Sequence, residues 1–180
     1  MDLSFGPEYD DFRSDVVNFL SNNSGKAPKG GDLRGEQAKD WQKLLIENGY
    51  TCRTIPKEYG GFGAEPDIIK SRIIGEEFSK SRINPGLGGQ GISMLVPTLL
   101  EMGTEEQKQK FIRPTIHGDM IWCQGYSEPG AGSDLAAIRT RAERQGDRWV
   151  IHGQKVWTSH AQRAQWAFVL VRTEPGSTRH

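Results

Sequence analysis

The chain has 180 residues, 35% of them hydrophobic, 9% aromatic and 26% charged, with 22 glycines; that is enough apolar material for one large domain, or one domain and part of another, although glycine dilutes the core. Lys plus Arg balances Asp plus Glu at 23 each, which excludes the global basic field that gathers nucleic acid. The first twenty residues carry Asp2, Glu8, Asp10 and Asp11 without an apolar run, and no stretch is long enough to span a bilayer, so neither signal peptide nor membrane segment is expected and the cytoplasm is the default compartment.

Taken in chain order, the first half reads as helices. Pro7-Glu8 opens a pattern in which Phe12, Val16, Phe19 and Leu20 share one face, with acids at the favourable amino-terminal end. A polar connection runs from Asn22 through Gly30-Gly31. The stretch from Glu36 to Asn48 carries Trp41, Leu44 and Leu45, and Gly49 fits its stop. Beyond the loop Gly60-Gly61-Phe62-Gly63, Asp67 predicts the cap of a helix running to about Lys80, with Ile69, Ile73 and Phe78 among its apolar positions. Ile92 to Met102 and Thr104 to Ile112 predict two more helices, parted by Gly103, and Thr104 with Gln107 makes a capping box.

The character changes near Gly118-Asp119. Met120–Tyr126, Ile138–Glu143, Trp149–His152 and Trp166–Arg172 read as strands, parted by turns such as Gln145-Gly146-Asp147. The expected fold class is therefore α+β, with a helical domain over 1–118 and a partial antiparallel β domain over 119–180. The last clear strand ends at Arg172, and Thr173 to His180 is a polar tail. About four strands of a single meander would leave open edges and one uncovered face.

Several features that invite a chemical reading lack the context it needs. Gly86-Leu87-Gly88-Gly89-Gln90-Gly91 satisfies Gly-x-Gly-x-x-Gly literally, but a helix and Pro85 precede it where a dinucleotide site requires a strand. A closely packed helix junction is the plainer reading. Cys52 and Cys123 are far apart, and His117, His152, His160 and His180 have no partner at metal-ligand spacing, so neither a disulfide framework nor a metal site is indicated. No nucleophile elbow is present.

The most informative stretch is 121–134, Ile-Trp-Cys-Gln-Gly-Tyr-Ser-Glu-Pro-Gly-Ala-Gly-Ser-Asp. Pro129 ends the strand by removing a donor and fixing φ. Gly130 and Gly132 allow positive φ and a close backbone approach, and successive amides with the Ser133 hydroxyl suit a phosphate or pyrophosphate. The alternative is an ordinary surface loop. Three further segments decide between them: Pro56-Lys57-Glu58-Tyr59-Gly60-Gly61-Phe62-Gly63, Gly103-Thr104-Glu105-Glu106-Gln107-Lys108-Gln109-Lys110-Phe111 and Gly153-Gln154-Lys155-Val156-Trp157-Thr158-Ser159. The four together, in this order over roughly residues 8–172, resemble the acyl-CoA dehydrogenase family of flavoproteins.

The resemblance implies FAD as cofactor, an acyl-CoA as substrate, electron-transfer flavoprotein as electron acceptor and a homo- or hetero-oligomer; the charge balance and the lack of an apolar span leave nucleic acid and membrane off the expected partners. Gln124, Tyr126 and Ser127 fall where the family contacts the isoalloxazine edge, Gly132 and Ser133 at the turn near the pyrophosphate, Trp157 against the flavin, and Thr158 and Ser159 beside it, Ser159 near N5. Donors near N1 and N5 stabilise charge on the reduced ring. Ser127 and Ser159 stand where threonine is usual and keep the hydroxyl, Thr158 replaces an apolar residue, and His160 replaces a frequent asparagine. His160 is read either as a tuner of the flavin through its charge or as a solvent-facing histidine. Glu128 and Asp134 are expected to shape the turn rather than to act as a catalytic pair.

The family reaction is α,β-dehydrogenation of an acyl-CoA thioester. Its glutamate base lies in a carboxy-terminal helical domain, and no acid of this chain matches it, so no catalytic residue is assigned. The reading is an amino-terminal portion of such an oxidoreductase, inactive by itself; the alternative is a non-catalytic fragment or partner subunit that acts as a binding module. Small residues at Gly86, Gly88, Gly89 and Gly91, on the segment that resembles the family's acyl-pocket lining, are expected to make room for a bulky acyl group.

Overall fold

The computed structural model describes residues 6–29 and 35–174. Gly30-Gly31 of the first connection, the tail from 175 onward and His180 lie outside them. One compact unit runs to Gly88 and resumes over Val96–Asp119, and the other takes Gly89–Leu95 and resumes at Met120.

The first unit is helical: α1 (Pro7–Asn23), α2 (Glu36–Glu47), α3 (Ile68–Ser81), α4 (Val96–Met102) and α5 (Glu105–Ile116). Pro at the first turn and Glu8 and Asp10 beside the helix amino terminus start α1. Asp67 accepts from the Lys70 amide at 2.9 Å to start α3, and Thr104 and Gln107 close the expected capping box of α5. Gly49 takes positive φ, +72°, just past α2. Val16, Phe19 and Leu20 of α1 meet Trp41 and Leu45 of α2 and Ile73, Ile74 and Phe78 of α3 in one core. Phe19 stacks on Trp41 at 5.8 Å, and the indole N–H donates to the Asn84 carbonyl at 2.8 Å. Gln42, fully buried, donates to the Ile116 carbonyl and accepts from the Leu87 amide, both at 2.8 Å. Its amide is thus satisfied at both ends, as burial requires.

Two helices differ from expectation. The stretch 92–102 begins as a wider π turn over Gly91–Leu95 before α4 takes over. α5 continues to Ile116, with Pro114 inside its last turn; the chain reaches His117 because the amides of His117 and Gly118 still close on Arg113 and Thr115. The glycine-rich segment before α4 follows a helix, so no dinucleotide fold forms there. A Cβ at Gly86 would lie 2.5 Å from the Gln42 Oε1, Gly88 and Gly89 are exposed, and Gly91 is buried at the start of the π turn.

The second unit holds β1 (Trp122–Gly125), β2 (Arg141–Gln145), β3 (Arg148–His152) and β4 (Trp166–Val169). β2 and β3 form an antiparallel hairpin with Arg141 opposite His152, and Gly146 at φ +64° opens its two-residue loop. The strands do not form one meander. β1 pairs with β4 in parallel, Trp122 opposite Trp166 and Gly125 opposite Val169, because residues 126–165 form a crossover between them. β2 starts at Arg141, three residues later than expected, since the Arg139 and Thr140 amides donate to the Glu128 carboxylate and not to a neighbouring strand. Beyond β4 the chain returns to β2, where the Ala142 amide donates to the Arg172 carbonyl at 2.8 Å.

Candidate functional site

The site expected from the sequence is built on the end of β1 and two segments laid against it. Gln124 is half-buried on β1, opposite Phe168 of β4. Tyr126 follows, its ring edge-on to Phe168 at 5.6 Å and 86°. A Cβ at Gly125 would come within 3.2 Å of Val169, so glycine lets β4 and the Lys155 stem close in at this point. The Ser127 carbonyl accepts from the Val156 amide at 2.9 Å, which fastens the segment carrying Trp157 beside the one carrying Tyr126 and Ser127.

A buried ion pair reinforces this clamp. Lys155 Nζ donates at 2.9 Å both to the Tyr126 carbonyl and to Glu128 Oε1. Both side chains are largely withdrawn from solvent. Glu128 also accepts from the Arg139 amide at 2.6 Å and the Thr140 amide at 2.9 Å. Burial by itself raises the carboxyl pKa, but hydrogen bonds from Thr140, Arg139 and Lys155 outweigh it and hold the group down to about 2. Such a carboxylate is anionic and fully committed. It is an architectural group, although its amide partners lie eleven and twelve residues on and not within its own turn. Lys155 is the residue that sequence reasoning missed; the one available signal was a lysine between Gln154 and Val156 in an otherwise strand-like run.

The glycine turn works differently from its sequence expectation. Gly130 and Gly132 do not take positive φ. The reversal is made over Glu128–Ala131, where two reciprocal backbone bonds of 2.7 and 3.1 Å close around Pro129 without any left-handed residue. What the glycines provide is space: a Cβ at either would meet nothing within 4 Å. Gly132 and Ser133 are exposed at this open edge.

The left-handed conformations fall instead on Trp157, φ +57°, and His160, φ +67°. Both are costly for residues with a Cβ and persist only where the surroundings impose them. Here the Ser159 amide closes on the Trp157 carbonyl, and the Arg163 and Ala164 amides on that of His160. Trp157 is 88% exposed, Thr158 is half-buried, and Ser159 and His160 are exposed. The structure thus joins Tyr126, Ser127 and Trp157, while Ser133 and Ser159 stand exposed on their own turns. Behind the first turn lies a cavity of about 470 Å³ lined by Pro129, Gly130, Arg139, Arg141, His152 and Gln154, among others. A second, of about 410 Å³, opens between Leu135, Ala136, Ile138 and Leu170–Glu174.

The sequence matches two known domain families in succession: the acyl-CoA dehydrogenase N-terminal domain over residues 6–119, and the acyl-CoA dehydrogenase middle domain over 123–180. The chain belongs to the acyl-CoA dehydrogenase family. Among its relatives, acyl-CoA dehydrogenase IpdE1 of Mycobacterium tuberculosis is 40% identical over 96% of this chain, and acyl-CoA dehydrogenase FadE34 of the same organism 52% identical over 77%. A solved chain of the ChsE4–ChsE5 complex from that organism superposes with a TM-score of 0.71 at 31% identity, over 97% of this chain. The chain spans about half the length of the first of these relatives, 47% of IpdE1 and 45% of the ChsE4–ChsE5 chain, and 19% of FadE34. Among the described residues, no helix is long and apolar enough to cross a membrane.

Proposed function

We propose that this acyl-CoA dehydrogenase chain binds FAD through Gln124, Tyr126, Ser127, Gly132, Ser133, Trp157, Thr158 and Ser159, and serves the α,β-dehydrogenation of an acyl-CoA thioester. One observation carries the reading: Trp157 is 88% exposed, yet its backbone is held in a left-handed conformation and its segment is clamped beside Ser127 through the Val156 amide. A large aromatic face fixed at a conformational cost and left uncovered fits a planar partner better than it fits water. The open edge at Gly130 and Gly132, with Ser133 beside it, has the room and the donor for a pyrophosphate. Bound FAD would supply the hydride acceptor.

The chain's own residues orient and exclude. The Lys155–Glu128 pair keeps the Trp157 segment against β1, and the hydroxyls of Ser127 and Ser159 would offer donors to the flavin ring. Glu128 is unsuited to be the base that removes the α-proton, since three donors hold it as a stable anion. The reading includes a helical domain over 1–118 and a β domain over 119–180, electron-transfer flavoprotein as acceptor, and a cytoplasmic location. A solved relative that is itself a complex of two named components supports a hetero-oligomer and, as a second reading, a subunit whose active site is completed by another chain.

The test is an absorbance spectrum of the purified 180-residue chain after FAD loading and desalting. A retained flavin band lost in Trp157→Ala supports the site. A band bleached anaerobically by a panel of acyl-CoA thioesters supports the reaction as well. Retention without bleaching favours the subunit reading, and no retention under any loading condition overturns flavin binding by this chain.

A further inference from the structure

A third cavity, of about 410 Å³, lies wholly within the helical unit and is untouched by the flavin reading. Its wall comprises Lys43, Ile46 and Glu47 of α2, Lys57 and the Gly60–Phe62 loop, and Arg113 and His117 at the end of α5. Four basic side chains face one carboxylate across a volume suited to a small ligand. We propose that this cavity is a second binding site, for the phosphate group of a small organic phosphate ester, with Lys57 and Arg113 as its principal donors.

The basic groups are positioned from below. The Lys57 stem passes where a Cβ of Gly63 would lie, 2.9 Å from that position, and the Arg113 stem passes 3.0 Å from the corresponding position at Gly60. Gly63 and Gly60 have φ of +72° and +89°, so both positions suit glycine for conformational reasons and leave the stems their path. His117 Nε2 lies 3.4 Å from the Gly60 carbonyl, which sets its ring against the same loop.

The plainer explanation is that these cations offset the carboxy-terminal ends of α2 and α5. The bonds made there argue otherwise. The Ile46 and Leu45 carbonyls accept from the Gly49 and Tyr50 amides at 3.0 and 2.9 Å, and those of Arg113 and Pro114 from the His117 and Asp119 amides at 3.0 and 2.8 Å. The Ile116 carbonyl is taken by Gln42. Lys57 and Arg113 are in no ion pair among the described residues, whereas Lys43 has Asp40 at 3.8 Å. Two cations therefore stand ready for a ligand, with Lys43 in support and Glu47 as the one opposing charge. A guanidinium fork and an ammonium match the oxygens of a phosphate. Ile46, which is buried, and Phe62 supply an apolar wall for the organic part.

The test is calorimetric titration of the full chain with ribose 5-phosphate, which has no adenine to enter a flavin site, with ribose as the uncharged control. Binding is expected for the phosphate ester and not for ribose. It is expected to weaken about tenfold in Lys57→Gln and in Arg113→Gln, one charge-assisted bond being removed in each. Thermal melts of both variants, and their unchanged retention of FAD, show that the fold persists. Equal affinity of both variants and the parent chain, or no heat from ribose 5-phosphate at millimolar concentration, overturns the proposal. So does binding seen only with vesicles containing phosphatidylinositol phosphate, which would make the surface a membrane contact.

Discussion

In the helical unit Trp41 is 1% exposed, stacked on Phe19 and bonded through its N–H, whereas in the β unit Trp149 and Trp157 are 55% and 88% exposed. The helical unit closes a core from three amphipathic helices. In the β unit Ile151, Trp166, Val169 and Leu170 also carry exposed apolar surface. What holds its loops is polar: the Glu128 carboxylate gathers two amides and a lysine, and a backbone bond ties residue 156 to 127. The difference teaches where each unit is vulnerable. One depends chiefly on burial, with the Arg13–Glu77 ion pair joining α1 to α3 beside it, and the other on the Glu128–Lys155 pair and the amides that Glu128 gathers.

Replacing the centre of the helical core is expected to have the largest effect. Trp41→Ala removes a buried ring and its hydrogen bond, and is expected to cost about 3–5 kcal/mol in urea unfolding followed by far-ultraviolet circular dichroism. A loss below about 1 kcal/mol would break the comparison, because that core would then not be what stabilises the unit.

Glu128→Ala is next. It leaves Lys155 buried without a counter-charge and two amides without an acceptor, and breaking such a pair is expected to cost about 3 kcal/mol. Faster hydrogen exchange at Arg139 and Thr140, with the helical amides unchanged, is the expected signature. The wild-type chain carries the same lesson in its pH dependence. The folded carboxyl titrates near 2 against an ordinary 4.5. Its contribution is therefore complete above about pH 4.5 and is lost as the pH falls towards 2. Protection factors at Arg139 and Thr140, corrected for the intrinsic pH dependence of exchange, that stay constant over that window would contradict the assignment.

Two smaller effects sharpen the contrast. Asp67→Ala removes the side-chain cap of α3 and is expected to lower helical stability by about 1 kcal/mol, read as a shift in Tm. Trp149→Ser and Ile151→Thr, made on exposed positions of β3, are expected to change the stability of this chain by no more than about 0.5 kcal/mol. A larger destabilisation would show that this face is covered in the protein as purified.

The capping and turn chemistry was legible because it is local: Asp67, Thr104 with Gln107, Gly49 and Gly146 each act within a few residues. The order of helices and the β segments followed from periodicity for the same reason. Strand pairing did not, because the partner of Trp122 is Trp166, across a crossover that leaves no periodic mark. The candidate site divides in the same way. The residue types around Ser127, Ser133 and Trp157 were readable, and Gly130 and Gly132 were the positions that could take left-handed conformations. Those conformations fall instead on Trp157 and His160, where only surrounding bonds can impose them.

By itself, then, the sequence determined the class of fold, the order of the helices and most of their ends, and the family, since these rest on composition, short-range bonds and motifs in order. Tertiary structure alone decided that β1 and β4 run parallel, that Glu128 is locked by amides from a distant segment and by Lys155, and that four basic side chains converge on one cavity of the helical unit. Each of these joins residues far apart in the chain, and local propensity carries no information about a contact whose loop must first be closed.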